Sequence, residues 1–165
     1  MKKILFIHNA ALGFSTVSTD IQAACARRSD IQAIHWSPAM PWWVRLAAAQ
    51  PPLNLRGYDY HTARLSFAWS AHLRSALSRK GALEGVGAVH ILSQQRGAIA
   101  PWLRKRGVPC VINIDSTDTV WNRDFGYRSA SPDLNRTVER RTLRAATAVA
   151  CWSRWAADSV TADYG

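Results

Sequence analysis

The sequence predicts an open α/β domain of the Rossmann kind, a parallel sheet with helices on both faces. Short apolar runs alternate with longer stretches of helical period along the whole chain. The connections are short, and repeated strand–helix–strand units with short connections build a parallel sheet. The length, 165 residues, is that of one domain, residues 1–165, which buries about 70% of the surface its unfolded form exposes.

Each element has its own signal. Lys3 to Ile7 is apolar beyond its first residue and too short for a helix, which makes it a buried strand. Ser18 is placed to cap a helix with Ile21, Ala24 and Cys25 on one face, and Arg27 and Arg28 suit its carboxyl end. Ile31 to Trp36 is a second strand. From Ser37 to His61 the period dissolves into prolines, a tryptophan pair and glycine, an irregular excursion with room for one short helix. Leu65, Trp69, Leu73 and Leu77 recur every fourth residue, and Gly81 closes that helix.

Val89 to Ser93 is a third strand, and Gly97 to Arg106 a short helix with Pro101 in its first turn. Cys110 to Asp115 follows as a fourth strand. Ser131 caps a helix that begins with Pro132 and Asp133. Leu134, Val138 and Leu143 of that helix are expected inward, with Arg136, Arg140 and Arg144 down another face, meeting Glu139 and solvent or phosphates. Ala148 to Ser153 is a fifth strand, and Trp155 to Tyr164 a last helix. No internal repeat, low-complexity segment or interdomain linker interrupts the pattern.

Composition narrows the function. Hydrophobic residues make up 48% and charged ones 19%, a globular profile. Lys plus Arg number 21 against 11 Asp plus Glu, a net charge of +10 that attracts nucleic acid, an anionic bilayer or phosphorylated substrates. Cys25, Cys110 and Cys151 are far apart and among apolar neighbours, which reads as core packing and not as a zinc or disulfide framework. No apolar run approaches the roughly 18 residues of a membrane span. The run after Met1-Lys2-Lys3 is broken by His8 and Asn9, too soon for a secretory signal, so a cytoplasmic chain is expected.

In open parallel sheets ligands bind beyond the carboxyl ends of the strands. That rule selects His8, Asn9 and Gly13 after the first strand, and Ser93, Gln94, Gln95 and Arg96 after the third. It selects Asp115, Ser116, Thr117 and Asp118 after the fourth, and Ser153 and Arg154 after the fifth. Asp115 and Asp118 are the candidate catalytic pair, able to act as general base toward a sugar hydroxyl or to hydrogen-bond it. The same four residues also read as turn and cap chemistry. The glycine-rich dinucleotide fingerprint, the P-loop lysine motif and the hydrolase nucleophile elbow are all missing. Pro41-Trp42-Trp43-Val44-Arg45-Leu46 sets a tryptophan pair beside an arginine, which fits either core packing or an anionic membrane surface.

Several stretches together resemble a known family. They are Val111-Ile112-Asn113-Ile114-Asp115-Ser116-Thr117, the arginine-rich helix, and the segment from Ala148 through Cys151-Trp152-Ser153-Arg154-Trp155 to Asp163-Tyr164-Gly165. The chain is similar to the amino-terminal domain of family 4 glycosyltransferases of the GT-B fold, and its opening Lys2-Lys3-Ile4-Leu5-Phe6-Ile7-His8 resembles that family's first strand. The resemblance implies transfer of a sugar from a nucleotide-sugar donor, with retained anomeric configuration, to a glycan or lipid-linked acceptor. It implies no further cofactor and no metal. The amino-terminal domain would hold the acceptor, and a second domain, absent from these 165 residues, would hold the donor nucleotide, so this chain alone is expected to be inactive. Gly13 stands where the family has glycines near the donor diphosphate, and Asp115-Ser116-Thr117-Asp118 follows the strand near which the family has a histidine.

Peripheral docking at the inner face of a membrane is consistent with the basic charge. Nucleic acid is not expected, since no recognition helix, RNP or zinc pattern is present. The competing reading is a non-enzymatic Rossmann-like binding module with a basic face for nucleic acid or a protein. A stand-alone hydrolase or phosphatase is disfavoured by the missing nucleophile motif.

Overall fold

The computed structural model describes residues 1–9, 13–49, 61–126 and 132–165. Its five strands are β1 (Lys2–Ile7), β2 (Ile31–Trp36), β3 (Val86–Leu92), β4 (Cys110–Ile114) and β5 (Ala148–Cys151). They form one sheet in the order β2-β1-β3-β4-β5, every pair parallel. The expected open parallel sheet is therefore present, and its order reverses between β1 and β3, a doubly wound arrangement.

Side chains alternate across the sheet because the pleat has period two. One face carries Leu5, Ile7, Val89, Ile91, Cys110, Ile112 and Ile114, all buried. Against it pack α2 (Trp42–Ala48) through Val44, α3 (His61–Leu77) through Ala68, Trp69 and Leu73, α5 (Ala100–Arg104) through Leu103, and α7 (Pro132–Ala145) through Leu143. Trp69 and Leu73 are 2% and 0% exposed, so the four-residue period of α3 is a core stripe. The helix α1 (Phe14–Ala26) runs from β1 back to β2, opposite in direction to the other crossovers, and right-handed crossovers put it on the other face.

Several boundaries differ from expectation. Ser18 does not cap α1: the helix begins at Phe14 after Gly13, and Ser18 is buried within it, its hydroxyl donating to the Asn9 carbonyl at 3.4 Å. Ala24 is exposed, while Ile21 and Cys25 are half-buried. β3 starts three residues early at Val86, and the expected helix after it is split into α4 (Gln94–Gly97) and α5, with Pro101 in the first turn of α5. Ser131, the expected cap of α7, lies outside the described residues, as does much of the 37–61 excursion. A helix that sequence periodicity missed, α6 (Asp118–Phe125), follows β4, capped by Thr117 and ended by Gly126 at φ 62°. The last expected helix is α8 (Arg154–Ser159) continued by a π-helical turn, Val160–Tyr164.

The arginine stripe of α7 is an internal clamp. Arg136 and Arg140 each donate to the Asp163 carbonyl, at 3.2 and 3.1 Å, and Arg144 donates to the Tyr164 carbonyl at 3.1 Å. Carbonyls left over at a helix end attract cations. The tryptophan pair is divided: Trp43 packs on the core while Trp42 is 75% exposed. Among the described residues no helix is long and apolar enough to cross a membrane.

α4 approaches β4 and α7 so closely that only glycine fits at its end. A Cβ on Gly97 would lie 2.9 and 3.1 Å from two carbons of Ile112 and 3.3 Å from Thr142. Ile112 is fully buried and cannot swing aside. Gly97→Ala is expected to lower stability by about 1–3 kcal/mol, read as a fall in Tm by calorimetry; an unchanged Tm would show that the contact relaxes freely.

Candidate functional site

Beyond the carboxyl ends of β3 and β4 lies a cavity of about 320 Å³, between the start of α3, the first turn of α6 and the inward face of α7. Five of the expected residues line it: Gln94, Gln95, Asp115, Ser116 and Asp118. β4 ends at Ile114, so Asp115 is the first residue clear of the sheet and is half-buried at the cavity wall. Ser116 is 2% exposed; its hydroxyl donates to Asp115 Oδ1 at 3.3 Å and accepts from the Trp121 indole N–H. Gln94 donates to the Ser116 carbonyl at 3.1 Å, tying the β3 loop to the β4 loop. Asp118 opens α6 and accepts at Oδ2 from Asn122 at 3.1 Å.

The other expected residues sit elsewhere. Thr117 is fully buried as the cap of α6, accepting from the Val120 amide at 3.2 Å and sharing a 2.6 Å hydroxyl pair with Ser159. Ser153 caps α8, accepting from the Ala156 amide at 3.1 Å, and Arg154 next to it is exposed. Among the described residues Gly13 has nothing within 4 Å of where a Cβ would be, so no close backbone approach by them requires it. Arg96 turns inward with its guanidinium 4.1 Å over the Trp69 ring, and burial lowers its pKa to about 10. Asn9 is 8% exposed and His8 1%. The His8 ring packs beside Phe6 and meets His35 Nδ1 at 2.8 Å, and burial with the nearby His35 lowers its pKa.

Sequence reasoning missed much of the cavity. The inward stripe of α7 includes Asn135, Glu139 and Thr142, at 2%, 6% and 2% exposure, while Leu134 and Val138 are only half-buried. Glu139, expected as a partner of the arginine stripe, is instead a buried carboxylate. It accepts from the Asp118 amide at 3.0 Å through one oxygen, and that same oxygen accepts from the Tyr164 hydroxyl. Burial pushes its pKa up to about 7, and the Tyr164 and Asp118 hydrogen bonds pull only partly back. Asn135 Oδ1 accepts from the Ala63 amide at 3.1 Å, filling one of the donors left over at the start of α3. Trp121, 42% exposed, stands at the cavity with Phe125 4.7 Å away, ring to ring. Thr117 as cap and Gly126 as stop were the available signal for α6; polar residues on an inward stripe leave no hydropathy signal.

The arrangement can hold a hydrogen-bonding ligand against an aromatic wall. Among the described residues no group of three His, Cys, Asp or Glu side chains is set to hold a metal ion. A buried acid with a raised pKa is protonated more readily in the fold than in the unfolded chain. Its contribution is full below the unfolded value of 4.5 and is lost as pH rises through about 7. In urea titrations Glu139 is therefore expected to contribute a decline in stability across that window, by up to about 3 kcal/mol, set against the opposite contribution of the buried histidines His8, His35 and His90. Glu139→Gln is expected to flatten the decline, and an unchanged slope would place the titration elsewhere.

A family described as "Glycosyl transferase 4-like domain" matches residues 13–165. No curated protein matches the chain. Among solved structures, Phytolacca americana UGT2 complexed with UDP-2fluoro-glucose and pterostilbene is similar at 13% identity and a TM-score of 0.46. The match covers 83% of this chain and 35% of that one, so the chain spans about a third of that protein's length. The family match takes in the cavity, the α7 clamp and all the strands after β1, and on it the chain belongs to the glycosyl transferase 4-like domain family.

Proposed function

We propose that this chain is the acceptor-side domain of a glycosyltransferase that moves a sugar from a nucleotide-sugar donor onto a glycan or lipid-linked acceptor, with retention at the anomeric carbon. The observation that carries the reading is the cavity beyond β3 and β4, where Asp115, Asp118 and Glu139 meet the Trp121 indole in a domain of this family. Carboxylates accept from sugar hydroxyls, and an aromatic face takes the apolar side of a ring.

In this reading the acceptor oxygen bonds to the donor's anomeric carbon on the face from which the nucleoside diphosphate departs, as retention requires, and Asp115 accepts that oxygen's proton. Asp118, fixed by Asn122, holds a second hydroxyl and so the orientation of the ring. A second domain holds the nucleotide. Two observations support that division: the loop after β1 has the single glycine Gly13, and among the described residues no basic side chain lines the cavity. Turnover then needs both domains together, so this chain binds without transferring. The basic surface has less reach toward nucleic acid than the sequence suggests, since Arg136, Arg140 and Arg144 are occupied by carbonyls of the π-helical turn.

In the full-length enzyme Asp115→Asn is expected to lower kcat by about 10²–10⁴ while circular dichroism stays unchanged. Near-normal transfer would reduce Asp115 to turn chemistry.

We also propose a peripheral contact with an anionic bilayer through α2. Trp42 and Leu46 are 75% and 66% exposed, one helical turn apart, with Arg45 between them on a chain of net charge +10. Replacing Trp42 and Leu46 together by Ser is expected to weaken binding to phosphatidylglycerol vesicles about tenfold or more, measured by co-sedimentation. Equal sedimentation of the variant would remove α2 from any membrane contact.

A further inference from the structure

The hydrogen-bonding demands of the cavity specify more than a sugar in general. Asn135 is 2% exposed and lines the cavity, and its Oδ1 is taken by the Ala63 amide. Its Nδ2 is buried with no partner among the described residues, a donor left without an acceptor inside a polar site. Such an orphan costs about 1–3 kcal/mol, which a ligand acceptor would recover. Among the described residues the same cavity is lined by three carboxyl groups, Asp115, Asp118 and Glu139, and by no lysine, arginine or histidine. Ionised carboxylates ask for donors.

Three kinds of ligand group can be compared against that pattern. A phosphate or carboxylate supplies acceptors only; it would meet Asn135 but set like charges beside Asp115 and Asp118 without a cation to offset them. An ammonium supplies donors only and leaves Asn135 Nδ2 as it is. A hydroxyl does both, donating to a carboxylate and accepting from the amide. Trp121 adds an apolar face that is held still, its N–H bound to Ser116 and its ring against Phe125. At about 320 Å³ the space is at the small end of ligand pockets. It suits one ring, not an extended chain of them.

We infer that the cavity selects a hydroxyl-rich sugar ring bearing no anionic substituent, with a C–H face on Trp121 and a hydroxyl bridging Asn135 Nδ2 and a cavity carboxylate. The inference rests on the acceptor-domain reading and deepens it: the basic exterior meets whatever anionic carrier the acceptor has, and the ring that enters is uncharged. Glu139 supports this from the inside. It is the most buried of the three acids, and its raised pKa keeps part of it protonated near neutrality, when it is itself a hydroxyl-like donor and acceptor.

The test uses this chain with a panel of neutral methyl hexopyranosides and, for each, its 6-phosphate and its uronate, followed by tryptophan fluorescence and saturation-transfer NMR. At least one neutral glycoside is expected to bind saturably, with its two anionic counterparts about tenfold weaker or worse. Asn135→Asp keeps the oxygen that caps α3 and exchanges the orphan donor for an acceptor, so it is expected to lower neutral binding at least about tenfold with the fold intact. Asp115→Asn together with Asp118→Asn is expected to narrow the gap between glycoside and phosphate. Phosphates or uronates binding as tightly as neutral glycosides overturns the inference, and so does the absence of binding by any neutral glycoside. Either result leaves the acceptor-domain reading to stand on transfer by the full-length enzyme. Conversely, neutral glycosides bound here by a full-length protein that transfers no sugar from any nucleotide donor would overturn that reading and leave this inference in place.

Discussion

A single buried carboxylate holds the cavity together. Glu139 reaches from α7 to the first amide of α6 and to the hydroxyl of Tyr164, and Tyr164 in turn pairs with the Thr119 hydroxyl at 2.8 Å. Close by, Thr117 shares its hydroxyl with Ser159, which donates to Asp163 at 2.7 Å. The loop after β4, the middle of α7 and the last turn of the chain are therefore one hydrogen-bonded unit. Burying an acid costs free energy unless it is well bonded, and here its partners are the groups that set the position of Asp115 and Asp118. Geometry at the cavity wall depends on a residue that sequence reasoning paired with the arginine stripe.

The topology helps to place the cavity beyond β3 and β4. In a doubly wound sheet the crevice forms where strand order reverses, here between β1 and β3. The β1 side of that reversal is filled by buried His8 and Asn9. On the β3 side Ser93 takes a positive φ of 91°, rare for a residue with a side chain. The chain turns sharply there into α4, and Gln94 comes to face the β4 loop. Gly97 then allows α4 to press against Ile112 and Thr142. Local backbone compromises thus move the usable space one strand along.

The fold was legible in the sequence because its signals are apolar and periodic: five short hydrophobic runs, and the Leu65-Trp69-Leu73-Leu77 stripe that the structure buries or half-buries throughout. The site was half legible. Strand-end reasoning reached Gln94, Gln95, Asp115, Ser116 and Asp118 because those residues follow β3 and β4 immediately. It did not reach Asn135, Glu139 or Thr142, which enter the cavity from the far side of α7, since a polar inward stripe looks like a solvated one until packing is known. Arg96 misled for the opposite reason: a guanidinium at a strand end resembles a ligand group, yet a neighbouring indole gives it a buried seat. The arginines of α7 misled likewise, their partners being backbone carbonyls that carry no signature in the sequence.

On the face of the sheet opposite the main core, Phe6 is ringed by the imidazoles of His8, His35 and His90. Burial lowers the pKa of each, with His90 reaching about 4. A histidine held neutral in this way supports the fold above its ordinary value of 6.5 and withdraws that support as acid charges it. The helix α1 lies on that face, and its one buried residue is Ser18. As pH falls below that value the sheet therefore loses support on the α1 side, while α3, α5 and α7 stay seated on the apolar face.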